Sequence, residues 1–256
     1  MNRAKNLILK VIAPILLLVV WQTFGTMGVL NEHILPPPSK VIAAFAQLFE
    51  SGKLVENLVI SLFRVFRGFI LGALAGVAIG IIMGLSRPIN KILSSLVSIF
   101  RPIPMIAWIP LLILGLGIGE ESKVAVIFIG TLWPVLLNTI SGILSVDTKL
   151  IEVSRVLEKN KIEMLTKVIM PSAWPAIFTG LRLGISTAWT CVVAAEMIAA
   201  SSGIGYMIMY ARELSQPDVV LVGVFTIGFV GLFIDAIIGV LQKRVLSWSY
   251  INKNGR

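Results

Sequence analysis

Long apolar runs separated by short polar gaps dominate this chain, and several of the runs approach twenty residues with almost no charge. A helix of about twenty residues crosses a hydrocarbon core about 30 Å thick. Barrel strands would be about ten residues long and strictly alternating, a pattern the chain lacks. The first run, about residues 7–27, follows Arg3, Lys5 and Lys10. Its length, and the lack of a convincing small-x-small site after it, predict a retained helix rather than a cleaved signal peptide. A polar stretch of about 28–56 contains Pro36-Pro37-Pro38, where no helix is expected. After it, the spacing of Val41, Ile42, Phe45, Leu48 and Phe49 predicts a short amphipathic helix lying on the surface.

Five further spans are predicted at about 58–85, 92–114, 122–145, 174–199 and 218–242. The second carries Gly68, Gly72, Gly76, Gly80 and Gly84, one every four residues, which reads as a face for close helix packing inside a bundle. The third contains Arg101-Pro102-Ile103-Pro104 and Trp108-Ile109-Pro110, so its backbone hydrogen bonding must break. Such breaks are tolerated at membrane depth only where protein or a water-filled cavity surrounds them. Gly115 to Glu121 lacks the Gly-Lys-Ser/Thr ending of a phosphate loop and reads as a plain turn. Residues of about 200–217 read as a loop.

Composition agrees: 57% of residues are hydrophobic and 14% charged, against about 25% charged in soluble domains. The net charge of +9 does not form a basic stripe interleaved with aromatics, which argues against nucleic acid. The single cysteine, Cys191, excludes a disulfide framework, the single histidine, His33, reads as a solvated loop residue, and no metal-ligand spacing occurs. Six spans put both termini on one side, together with the second and fourth inter-helix loops. That side holds fourteen basic residues: Arg3, Lys5, Lys10, Arg87, Lys91, Lys149, Arg155, Lys159, Lys161, Lys167, Lys243, Arg244, Lys253 and Arg256. The other side holds four, Lys40, Lys53, Lys123 and Arg212. The positive-inside rule therefore predicts cytoplasmic termini and a cytoplasmic loop at 146–172. Arg64 and Arg67, near the outer end of the second span, are a local dissent from it.

The 146–172 loop is the charged, helix-prone exception in the chain. Asp147 or Thr148 can cap a helix from about Lys149, Ile151, Val153, Val156 and Leu157 give it an apolar side, and Pro171 is expected to stop any helix before it. A solvated loop would have the same charge. The order of residues is more specific. Glu152-Val153-Ser154, three residues, Glu158, nine residues and Val168-Ile169-Met170-Pro171 resemble the EAA motif of permease subunits of binding-protein-dependent ABC importers. That motif runs Glu-Ala-Ala, three residues, Gly, nine residues, Ile-x-Leu-Pro. Glu158 stands at its glycine, a departure that puts the usual turn in question, although Asn160 nearby could supply one. Leu35 to Pro38, Ser61 to Val65 with Gly68-Phe69, Arg101 to Leu111, Gly180 to Leu183, Ala195 to Ile198 and Ser202 to Tyr206 resemble the nitrate/sulfonate/taurine branch of these permeases, in order over about 35–250.

The resemblance implies an all-α membrane protein with six transmembrane helices and the type I importer (MetI-like) permease fold. It implies residues 1–56 as an N-terminal helix with an extracytoplasmic loop, and 57–250 as the permease domain. It implies a plasma-membrane transport subunit for aliphatic sulfonates, taurine, nitrate or a related small anion. Such a subunit has no catalytic residues and no cofactor of its own, and ATP and magnesium belong to a separate ATP-binding subunit. Its other partners would be an extracytoplasmic substrate-binding protein and a second permease copy. Coupling would fall to Glu152, Val153, Ser154, Arg155, Val156, Leu157, Glu158 and Asn160. Membrane-buried polar groups are the default markers of a pathway, which, with the broken span, gives Arg101, Pro104, Trp108, Asn138, Arg182 and Glu196 as candidates. Asn138 also reads as an interhelical hydrogen bond, Asp235 as a structural ion pair, and Arg182 and Glu196 as too far apart on one helix to pair with each other. An ion-gradient-driven transporter is the alternative. It would call for paired broken helices in both halves, and the sequence offers one break.

Overall fold

The computed structural model describes residues 3–247, with side chains from 12 onward. Lys253 and Arg256 of the charge count, and the last residues of the expected 57–250 domain, lie outside them. The described residues are helical throughout, with no strand: α1 Arg3–Thr26, α2 Pro38–Glu50, α3 Lys53–Leu85, α4 Arg87–Phe100, α5 Met105–Leu116, α6 Glu120–Leu144, α7 Thr148–Val156, α8 Lys161–Met164, a π turn Leu165–Ile169, α9 Met170–Ala199, α10 Ile204–Glu213 and α11 Pro217–Val245. Among the described residues four helices are long and apolar enough to cross a membrane: α3, α6, the continuous Lys161–Ala199, and α11. The pair α4 and α5, bent by 96° across residues 101–104, makes a fifth if counted as one span. The first run contributes a shorter apolar stretch, Ile12–Thr26, so the described residues do not by themselves give the count of six.

One compact unit comprises the chain up to Ile60 together with Ser201–Phe229. Its core joins Val41 and Ala44 of α2 to Leu54 of α3, Ile204, Met207 and Ile208 of α10, and Val222 of α11. Pro38 is the first residue of α2, a correction to the expectation that the proline triplet stays outside a helix: its fixed φ suits the first helical position, where no N–H is needed. The amphipathic reading of this helix holds only in part, because Val41 is buried while Ile42, Phe45 and Phe49 are exposed. α10 is a helix where a loop is expected, and Asn57 holds its start by accepting from the Gly203 amide at 2.7 Å.

The second unit comprises Ser61–Ala200 and the chain from Val230. Its spine is the α3–α6 contact. The five glycines of α3 meet Ile127, Thr131, Val135, Thr139 and Ile143 of α6 in turn, and a Cβ added at any of them would come within 2.6–2.9 Å of the facing helix. Both rows repeat every four residues, so one register serves all five steps. An adjoining side of α6 packs on α9 in the same manner, Gly180 against Asn138 and Gly142 against Ala173 and Ala176. Pro171 does not stop the preceding helix. The π turn just before it closes i→i+5 bonds, Met170 N–H donating to Leu165 O, and the wider turn accommodates a residue that lacks an N–H and would clash four residues back.

Candidate coupling and translocation sites

The 146–172 loop is well formed. Asp147 caps α7 by accepting from the Lys149 amide at 2.9 Å. Ser154 is buried and donates to Leu150 O at 2.7 Å, and Ile151 packs on the core formed by Ile143, Val146, Ile169, Ala173 and Ile177. The rest of the expected coupling set, Glu152, Val153, Arg155, Val156, Leu157, Glu158 and Asn160, is exposed. Val156 is 82% and Leu157 64% exposed. The expected apolar side is therefore divided: Ile151 turns inward, while Val153, Val156 and Leu157 form an uncovered apolar patch.

The turn after α7 is the one the motif glycine would make. Glu158 has φ +53°, the Glu158 amide donates to Arg155 O at 2.9 Å, and the Lys159 amide donates to Ser154 O at 3.0 Å. Those two bonds define a Schellman C-cap with Glu158 at its left-handed position. Asn160 then caps α8, accepting from the Glu163 amide at 2.8 Å.

The break between α4 and α5 is where the prolines place it. Arg101 ends α4 and is exposed, with no ion-pair partner among the described residues. Pro104 precedes the first residue of α5. Trp108 lies 5.9 Å from the Phe100 ring, and its indole N–H is buried without a hydrogen-bond acceptor.

Arg182 and Glu196 find separate partners, as their spacing on α9 requires. Arg182 makes a two-pronged bond to Asp235, Nε and Nη2 each 2.8 Å from a carboxylate oxygen, so the expected ion pair of Asp235 has its partner. Glu196 is sealed inside the protein. It accepts from Ser61 Oγ at 2.8 and 2.9 Å and from Arg64 Nη1 at 2.8 Å, while Arg64 Nε and Nη2 reach Glu120 at 2.7 and 2.6 Å. Lys123 joins Glu120 at 3.2 Å. Two cations thus face two anions. This removes the dissent of Arg64 from the charge rule, since the residue is neutralised in the interior. Asn138 is a correction: its amide bonds Pro134 O of its own helix at 2.8 Å rather than a neighbouring helix, because Gly180 packs against its Cβ. Sequence reasoning missed Ser61, Glu120 and Lys123. The available signal was Ser61 and Arg64 together on one face of a span.

Residues 76–247 match the family model described as binding-protein-dependent transport system inner membrane component. The chain belongs to this family of permeases. The permease is 40% identical over 235 residues to the putative aliphatic sulfonates transport permease protein SsuC of Bacillus subtilis, covering 92% of this chain and 85% of that one. It is 35% identical over 237 residues to the taurine transport system permease protein TauC of Escherichia coli, covering 91% and 86%. It therefore falls in the sulfonate/taurine/nitrate branch. Its fold matches that of a chain from the inward-facing MetNI methionine ABC transporter, with TM-score 0.61 at 20% identity over 75% of this chain and 97% of that one. The permease is thus a multi-pass inner-membrane transport protein of the MetI-like fold.

Proposed function

We propose that this permease is the translocation subunit of an ATP-driven importer of small oxyanions, aliphatic sulfonates or taurine first among them, and that a separate ATP-binding subunit docks on the 146–172 loop. The observation that carries the reading is the patch of Val153, Val156 and Leu157. It is apolar and uncovered, stands on a helix capped by Asp147, and is flanked by Glu152 and Arg155. An amphipathic helix laid in a groove is a recurring recognition mode, with apolar anchors inside and charges at the rim. The charge asymmetry supports placing this loop and both termini in the cytoplasm. ATP and magnesium would be held by the partner, and this chain would contribute no catalytic residue. A substrate-binding protein would deliver the oxyanion from outside, and a second permease copy would complete the pathway by two-fold symmetry. Residues 57–250 would form the transport domain proper.

Arg101, Pro104 and Trp108, at the bend where regular backbone bonding stops, and Arg182 on α9 are the pathway residues this reading favours. Glu196 and Asn138 are satisfied within the protein, and would act by holding helices in place. Replacing Glu152 by Lys tests the docking role. The expected result is a permease that inserts normally but no longer co-purifies with its ATP-binding subunit and no longer imports. A Glu152→Lys permease that assembles and transports as before overturns the docking assignment.

A further inference from the structure

Polar side chains on the open face of a membrane helix need water, protein or a headgroup beside them. α9 carries such a row, Thr179, Arg182, Ser186 and Thr190, each exposed or half-exposed. The gaps of three, four and four residues put them on one face. At 1.5 Å per residue, Arg182 stands roughly 18 Å from one end of α9 and roughly 26 Å from the other, within hydrocarbon depth. Its ion pair with Asp235 is open: the side chains are 39% and 47% exposed. The other pair on the same helix, Glu196 with Arg64, is sealed at 0% and 3%. The sealed pair fastens helices. An ion pair half open at this depth cannot face lipid chains; it needs water, a headgroup or a partner copy beside it, and an aqueous route is the one that also accounts for the whole polar row.

We propose that this row is a relay for a small oxyanion, with Arg182 as the binding group and Asp235 as the resident counter-ion that the arriving anion displaces. The inference rests on the permease reading and adds a site to it. Arg182 offers Asp235 a planar fork of two parallel donors, and a sulfonate or carboxylate fits the same fork. Nη1 reaches Gln242 Oε1 at 3.4 Å, a long bond. The hydroxyls of Thr179, Ser186 and Thr190 now donate to Pro175, Arg182 and Thr187 carbonyls of their own helix at 3.0, 3.1 and 2.8 Å. Rotation about χ1 turns them toward a passing anion, and those carbonyls are ones the helix's own amides also serve. The arriving oxyanion takes over the bonds that Asp235 made, and the displaced Asp235 carboxylate, already 47% exposed, passes to water and remains beside it as a repelling negative charge. The anion is therefore held weakly enough to leave, as conduction requires.

The test uses the complete complex in vesicles, with Cys191→Ala removing the native thiol. Ser186→Cys and Thr190→Cys are expected to react with a water-soluble methanethiosulfonate about tenfold faster than Leu232→Cys, an exposed apolar position on α11. Reaction as slow as at Leu232 overturns the relay, whatever the complex imports. The neutral double variant Arg182→Gln with Asp235→Asn then separates binding from scaffolding. The relay requires this variant to assemble yet lose uptake of taurine and of methanesulfonate, whereas a merely structural pair leaves uptake intact and overturns the proposal. Uptake by the unmodified complex of neither probe defeats the sulfonate reading, while the labelling result still decides the relay. Repeating the labelling in phosphatidylcholine vesicles with and without phosphatidylglycerol excludes a headgroup occupant. Thiols shielded only when the anionic lipid is present would assign the row to lipid phosphate and overturn the relay.

Discussion

Replacing Gly80 by Ala tests the α3–α6 spine most directly. The new Cβ would stand 2.6 Å from Thr139 Cβ, 2.8 Å from Thr139 Cγ2 and 3.1 Å from Leu136 O. Carbon contacts are favourable at about 3.5–4.0 Å, so the two helices must part by about 1 Å. Thr139 cannot rotate away, because its hydroxyl is tied to Val135 O at 2.8 Å and the side chain is fully buried. Overpacking of this kind costs about 1–3 kcal/mol, and parting the helices also loosens the four other steps. Alanine returns about 1 kcal/mol of helix propensity, leaving a net loss of roughly 0–2 kcal/mol. Gly228 on α11 is the internal control, since nothing lies within 4 Å of its added Cβ. There only the propensity gain remains, and Gly228→Ala should be neutral or stabilising. A second alanine at Gly76 should cost less than the first, because one separation relieves both steps. Thermal unfolding of the purified protein in detergent reads all three variants, at about 2–4 °C per kcal/mol. A Gly80→Ala protein that melts with or above Gly228→Ala would refute the reasoning.

Three further outcomes are expected. Arg64→Leu leaves the Glu196 carboxylate buried without its cation and should destabilise by about 3–5 kcal/mol, while Arg64→Leu with Glu196→Leu should recover most of that loss in the same melt; no recovery would show that the buried pair does not set this stability. Glu158→Gly relieves a left-handed residue of roughly 1–2 kcal/mol of strain, less about 0.5–1 kcal/mol of glycine's own entropy, and should slightly raise the resistance of the loop to limited proteolysis, whereas Glu158→Pro, which cannot adopt this φ and lacks the N–H that reaches Arg155 O, should make the loop labile. A cysteine at Lys161 should resist impermeant thiol reagents in intact cells and react in inverted vesicles; labelling from outside would reverse the topology.

The sequence conveyed most where one physical cause acted alone. Glycines every four residues forecast close packing, and they met an equally spaced row on α6. Prolines 102 and 104 forecast the break at which the chain bends by 96°. Where two causes competed, the local one misled. Pro171 reads as a helix stop on its own, yet the π turn before it absorbs the missing bond. The absence of glycine at 158 reads as loss of a turn, yet the capping bonds from Glu158 and Lys159 hold the same dihedral. Asn138 was expected to bond across helices, but the space beside it is taken by Gly180 and its amide turned to its own backbone. The charge cluster was least legible. Ser61, Arg64, Glu120, Lys123 and Glu196 come from three separate segments, and no period links one segment to another. Only the folded chain brings them within hydrogen-bonding distance.

The spine and the charge cluster together have a mechanical meaning. The glycine ladder clamps α3 to α6 along most of their shared length, and the cluster pins both to α9 at the end remote from the 146–172 loop. Three rods packed along their length and bolted at one end do not slide past each other; they tilt as one body. α6 is roughly 37 Å long at 1.5 Å per residue, so a tilt of about 5° about the bolted end swings the other end by about 3 Å. A push on the loop between α6 and α9 acts at the far tip of this lever, where the least force is needed for a given rotation.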